Sequence, residues 1–221
     1  MTPDALHTLA AAAPLAAGWA VHGLWWRRRL AAARRDPLSG LVGRAVFERA
    51  ACRVLAGRRP VAVLVIDLDG FKQVNDRFGH AAGDAVIRAT GERLAQWADG
   101  LGVAGRLGGD EFAAAVRVDS ADALRGELVH LHQWLCSPVP RPDGPPLVVG
   151  ASIGAYLVPS RAGADLSVAL RRADESMYLA KQVKGGWLVA DGPAPVHATV
   201  WGRRDGRPGT HLPAPAEGNA R

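Results

Sequence analysis

Arg106-Leu107-Gly108-Gly109-Asp110-Glu111-Phe112 decides how the rest of this 221-residue chain is read. A short apolar run, residues 101–107, precedes the glycines, and a second, residues 112–118, follows them. Two such runs joined by a Gly-Gly pair predict a tight β-hairpin, because glycine takes positive φ at both turn positions without steric cost. Asp110 and Glu111 come straight after the pair, so the spacing sets two carboxylates at the tip of a hairpin. There they reach a metal or a phosphate that a flat strand does not approach. Taken alone, the turn reads as exposed glycines followed by solvated acids. A second acidic cluster changes that reading.

Val61-Ala62-Val63-Leu64-Val65-Ile66 is a continuous β-rich apolar run, the pattern of a strand buried on both faces. It leads into Asp67-Leu68-Asp69-Gly70-Phe71-Lys72. A carboxylate at the end of a central strand, facing a hairpin that carries two more, predicts a cage for hard divalent cations. Mg²⁺ takes one or two protein carboxylates and shares its other positions between water and phosphate oxygens. Gly70 lets the backbone come close to a phosphate, and Lys72 sets a cation beside it. The combination points to metal-dependent nucleotidyl transfer.

With both clusters in view, the chain resembles the GGDEF family of diguanylate cyclases. Gly108 to Phe112 matches that family's signature, and Asp36-Pro37-Leu38-Ser39-Gly40-Leu41 resembles its opening D-x-L-T-G-L. Asp67 to Asp76 is similar to its D-x-D-x-F-K-x-x-N-D, and Gly79-His80-Ala81-Ala82-Gly83-Asp84 to its G-H-x-x-G-D. Ser152-Ile153-Gly154 and Ala173-Asp174, Met177-Tyr178 and Ala180-Lys181 follow in the family's order. The resemblance covers residues 36–189. It implies an α+β, palm-like fold related to ferredoxin-like nucleotide polymerases, with a mixed sheet, flanking helices and a central GGDEF hairpin.

The same resemblance implies a reaction in which two GTP molecules condense to cyclic di-GMP with release of pyrophosphate, at the interface of a homodimer. It assigns Mg²⁺, with Mn²⁺ as the substitute, to Asp67, the Leu68 carbonyl, Asp110 and Glu111. Asp110 and Glu111 are the catalytic acids, Asp110 being the better placed to assist deprotonation of the attacking hydroxyl. Asn75 and Asp84 correspond to guanine readers, and Lys72 and Lys181 to phosphate-binding lysines. Gly70, Phe71, Gly108 and Gly109 complete the substrate contacts. The physics of base choice agrees: a carboxylate accepts from guanine N1–H and the exocyclic amine, a donor pair adenine lacks.

There are departures from the family pattern. Gly185 stands where a phosphate-binding arginine is usual, with Lys184 one residue early, which puts triphosphate affinity in doubt. Gly43 replaces a usual asparagine. Asp99 and Gly102 occupy the places of an inhibitory R-x-x-D and match neither end of it, so a product-inhibition site is not expected. The alternative to an active cyclase is therefore a catalytically weak GGDEF domain that binds GTP or serves as an interaction module.

The rest of the chain frames that domain, taken as residues 36–190. A formal net charge of +6 comes with arginines gathered at 27–35 and in the tail, not along one face of the core, and this argues against nucleic acid as a partner. Residues 5–26 hold no Asp, Glu, Lys or Arg and precede Arg27-Arg28-Arg29. They predict a membrane anchor that holds the catalytic domain on the cytoplasmic side, with a subunit-pairing helix as the soluble alternative. Residues 1–35 are thus an apolar helix and basic linker. Residues 191–221, rich in Pro, Gly, Ala and Arg, predict disorder. Cys52 and Cys136 lack metal-ligand spacing and read as free thiols. Periodicity predicts helices over Arg44–Leu55, Phe71–Phe78, 84–98, Ala121–Leu135 and 166–183, and strands over 147–158 and 187–189.

Overall fold

A computed structural model of the chain describes Trp19, His22 and residues 35–142, 144–158, 165–183 and 185–190. The expected anchor over 5–26, the tail over 191–221 and Lys184 lie outside the described residues, Trp19 and His22 apart. Among the described residues no helix is long and apolar enough to cross a membrane.

β2 (Val61–Asp69) is the axis of the fold. Its alternating side chains enter two separate cores. Ala62, Leu64, Ile66 and Leu68 face one way, and Val61, Val63 and Val65 the other. Around it a six-stranded sheet runs in the order β1-β3-β4-β2-β5-β6, with β1 at Val42–Gly43, β3 at Gly102–Gly108 and β4 at Glu111–Arg117. β5 is Gly150–Val158 and β6 is Gly186–Val189. β2 pairs antiparallel with β4 and β5, while the edge strands β1 and β6 run parallel to their neighbours, so the sheet is mixed as expected.

Helices cover both faces. α1 (Arg44–Leu55) buries Phe47, Ala51 and Leu55, one residue per turn, against the Val61–Val65 side. α2 (Phe71–Phe78) and α3 (His80–Ala98) follow β2 directly. α4 (Ala121–Leu135) starts at a capping bond, 3.1 Å, in which the Ala123 amide donates to Ser120 Oγ. Its Leu124, Leu128, Leu131 and Leu135 stripe joins α3 in the other core. α5 (Leu166–Gln182) begins at Asp165, whose carboxylate accepts from the Ser167 amide at 2.8 Å. It lies flat on β5 at Gly154. A Cβ there would stand 1.9 Å from the Ala173 carbonyl oxygen, so only a bare backbone lets this helix settle so low.

Several boundaries differ from the sequence reading. The strand expected over 147–158 starts at Gly150, and Leu147 instead makes an isolated bridge with Val139. α3 begins at His80 rather than Asp84, because Gly79, at φ +81°, turns the chain and frees His80-Ala81-Ala82 to be helical. Asp84 thus sits in the second turn and caps nothing. Arg35, at the end of the basic linker, bridges Val42 in extended form.

Candidate active site

The hairpin turn lies one residue beyond its expected place. Gly108 pairs with Glu111 across the ladder, after a bulge between Arg106 and Gly108, so Gly109 and Asp110 form the turn. Gly109 takes φ +55° there, and aspartate is a residue type that turn positions favour. Glu111 therefore belongs to β4, not to the tip. The Asp110 carbonyl accepts a bond from the Leu68 amide at 3.3 Å, which fixes the tip against β2.

This register brings the acids together. Asp67 lies opposite Glu111 on the neighbouring strand, and both point to the face that carries α1 and α5. Their residues are 3% and 8% exposed. The Lys181 ammonium, near the end of α5, donates to Asp67 Oδ1 at 2.5 Å. Two residues along β2, Asp69 accepts from the fully buried Ser152 hydroxyl at 2.7 Å. Among the described residues no three His, Cys, Asp or Glu side chains converge as a ready-made metal cage. Asp67 and Glu111 nonetheless form a buried pair of hard oxygen donors, a donor set that suits a cation completing its shell with water and phosphate oxygens.

The residues expected to read guanine gather at the start of α3. The Asn75 side chain presses so closely on Gly83 that a Cβ at position 83 would fall 2.0 Å from Asn75 Oδ1 and 3.1 Å from the Phe71 ring. Asp84, the next residue, is exposed beside them. Lys72 is exposed on α2, and Gly70, at φ +72°, heads that helix.

Two features were not legible in the sequence. Arg106 grips the hairpin turn, its Nε and Nη2 donating to the Gly109 carbonyl at 2.9 and 2.8 Å. Its Nη1 reaches Asp36 Oδ1 at 2.9 Å. That same oxygen accepts the Ser39 amide and hydroxyl, each at 2.7 Å. Burial pushes the Asp36 carboxyl up, but the Ser39 and Arg106 bonds outweigh it and hold the group below its ordinary value. The spacing of Arg106 to Gly109 hints at the grip on the turn, whereas Asp36 is 70 positions away. A cavity of about 410 Å³ borders this clamp on the β1 side, lined by Arg35, Arg44 and the hairpin, and none of Asp67, Glu111 or Lys181 lines it.

The second feature is the backbone conformation at Gly185. This residue takes φ +100°, its amide bonds the Ala180 carbonyl at 3.0 Å, and a Cβ there would stand 2.8 Å from Asp69 Oδ2. The missing arginine thus leaves a backbone conformation that disfavours any side chain. At the far end of β3, a Cβ on Gly102 would lie 2.0 Å from the Ala115 carbonyl, which leaves no room for an aspartate at that position. Burial raises the Cys136 thiol, and both cysteines are free.

Comparison with known proteins agrees with this architecture. Residues 33–186 match the family described as "Diguanylate cyclase, GGDEF domain". The chain belongs to that family. An uncharacterised 19.3 kDa protein of Streptomyces ambofaciens is 46% identical over 164 residues, 74% of this chain and 87% of that one. The diguanylate cyclase TpbB of Pseudomonas aeruginosa is 38% identical over 166 residues, 72% of this chain but only 38% of TpbB. A truncated form of TpbB comprising only the GGDEF domain superposes with TM-score 0.62 at 37% identity, covering 71% of this chain and 94% of that one. The coiled-coil and GGDEF structure of DgcB from Caulobacter crescentus shares the fold, with TM-score 0.68 at 24% identity over 84% of this chain and 99% of that one.

Proposed function

We propose that this chain condenses two GTP molecules into cyclic di-GMP, one nucleotide held by each domain of a homodimer. Each 3′-hydroxyl oxygen forms a bond to the α-phosphorus of the opposite nucleotide. The bond from that phosphorus to the bridging α–β oxygen breaks, and pyrophosphate leaves. The observation that carries this reading is the cross-strand pairing of Asp67 with Glu111 beneath a turn that holds Asp110, with Lys181 in contact.

In this reading Asp67 and Glu111 hold Mg²⁺, or Mn²⁺ in its place, with the Leu68 carbonyl and Asp110 beside them. The cation supplies charge stabilisation on the α-phosphate. Asp110 orients the attacking hydroxyl and takes its proton. Lys72 and Lys181 contact phosphate oxygens, while Asn75 and Asp84 accept and donate along the guanine edge with Phe71 against them. Gly70, Gly108 and Gly109 admit the nucleotide against bare backbone. Residues 5–36 raise the effective concentration of one domain beside another, by membrane confinement or helix contact.

Gly185 favours a second reading, a domain that binds GTP or a partner with little turnover. Incubation of the purified protein with Mg²⁺ and GTP, or ATP, followed by mass identification of products, decides between them. Cyclic di-GMP from GTP alone is expected. Bound but unconverted GTP supports the second reading, and consumption of ATP refutes the base-reading assignment.

A further inference from the structure

Asp67 and Glu111 stand side by side on one buried face, and two neighbouring carboxylates taken out of water call for a nearby cation. The structure meets that requirement with a side chain. Lys181 Nζ is 2.5 Å from Asp67 Oδ1, and the Asp67 side chain is 4% exposed against 28% for Lys181. The helix that carries this lysine is fixed, because its backbone rests on β5 at Gly154 with no space beneath. The Lys181 side chain is only partly buried, and its open flank gives the ammonium a way to leave Asp67 by side-chain rotation while α5 stays seated.

We propose that the Lys181 ammonium and a divalent cation are alternative occupants of the Asp67 carboxylate, so that Lys181 is a built-in stand-in for the metal. This rests on the functional reading above, in which Asp67 takes a divalent cation. Both claimants seek the same buried carboxylate, and no cluster of three His, Cys, Asp or Glu among the described residues offers the metal a seat apart from it. Once displaced, the ammonium is available to the phosphates of a nucleotide at the mouth of the site. A nucleotide that draws Lys181 outward thereby strengthens metal binding, and by reciprocity the metal strengthens nucleotide binding. Lys181 is in these terms a positioning residue with two stations rather than a fixed phosphate contact.

The test uses the full chain without nucleotide, titrated with Mn²⁺ and read by the electron paramagnetic resonance signal of the free ion. Lys181→Met, uncharged and of similar length, is expected to bind Mn²⁺ about tenfold more tightly than the native protein, since a competing unit charge at contact distance is gone. Lys181→Arg, which keeps that charge, is expected to stay within about threefold of the native affinity. Equal or weaker Mn²⁺ binding by Lys181→Met overturns the proposal.

A measurement on the native protein guards against a variant that fails to fold. The chain has three lysines, Lys72, Lys181 and Lys184, so [¹⁵N]lysine labelling yields three Nζ signals. Saturating Mg²⁺ is expected to shift the Lys181 signal toward that of a freely solvated ammonium, and a Lys181 signal that does not move overturns the proposal. Absence of Mn²⁺ binding in all three proteins overturns it as well. In that case cyclic di-GMP formation in a parallel GTP assay shows whether the functional reading stands without it.

Discussion

Restoring the arginine that the family pattern places at position 185 is the natural repair of this chain, and the structure predicts that it fails. Gly185 sits at φ +100°, where an L-residue is disfavoured by about 1–2 kcal/mol. Its Cβ would also stand 2.8 Å from Asp69 Oδ2. That carboxylate does not swing aside freely, because its other oxygen accepts from Ser152 at 2.7 Å, and giving up such a bond costs roughly 1 kcal/mol. Gly185→Ala, which adds the Cβ without charge, is therefore expected to destabilise by about 2–3 kcal/mol. Gly185→Arg regains at most about 1 kcal/mol from pairing with the partly exposed Asp69. In a domain of this size each kcal/mol moves Tm by roughly 2–4 °C, so thermal unfolding should report a fall of about 4–12 °C for Gly185→Ala, and a smaller one for Gly185→Arg. A Gly185→Arg protein with raised Tm and tighter GTP binding would refute the argument.

Three further outcomes follow from the geometry. Gly83→Ala should push the Asn75 amide off its seat, because a Cβ there would stand 2.0 Å from Asn75 Oδ1, and should lower preference for GTP over ATP roughly tenfold or more in competition assays, with equal preference to the native protein as the contrary result. Asp36 holds its carboxyl below the ordinary 3.8, so the stability it contributes is full above that value and is lost as pH falls through the lower, folded value. Asp36→Asn should cost about 1–3 kcal/mol at neutral pH and flatten the acid limb of urea-unfolding stability, and an unchanged acid limb would show that Arg106 and Ser39 do not hold this group. Added cyclic di-GMP should inhibit turnover little, since position 102 has no space for an aspartate, whereas strong inhibition at micromolar product would point to another binding site.

Periodicity located α1 and α4 to the residue, because each presents a clean stripe, Phe47-Ala51-Leu55 in one and Leu124-Leu128-Leu131-Leu135 in the other. It misplaced the start of α3, where Gly79 acts through a backbone conformation rather than an apolar pattern. β1, only Val42–Gly43, carries too few residues for any period and exists because β3 offers it an edge. In the site, the acidic residue types were legible, and so was the neighbourhood of the hairpin. The one-residue shift that puts Glu111 in a strand was not, since it depends on the bulge near Arg106. Nor were the clamp from Arg106 to Asp36 or the contact of Lys181 with Asp67, which join residues 70 and 114 positions apart. Such pairs are fixed by tertiary packing, which a local pattern does not record.

The strand order bears on how the protein is made. β2 leaves the ribosome early, yet its two partners are β4 and β5, and β5 ends only at Val158. Until then the middle of the sheet has open edges, and the core that α1 already shares lacks α5, its second helix. The contact that neutralises Asp67 arrives later still, with Lys181. Long-range pairing of this kind is slow to close and leaves apolar strands exposed in the interval. A nascent chain cut short before α5 therefore holds neighbouring carboxylates without this cation and a sheet face that α1 alone covers. Quality control would meet it as an unfinished protein rather than as a weak enzyme.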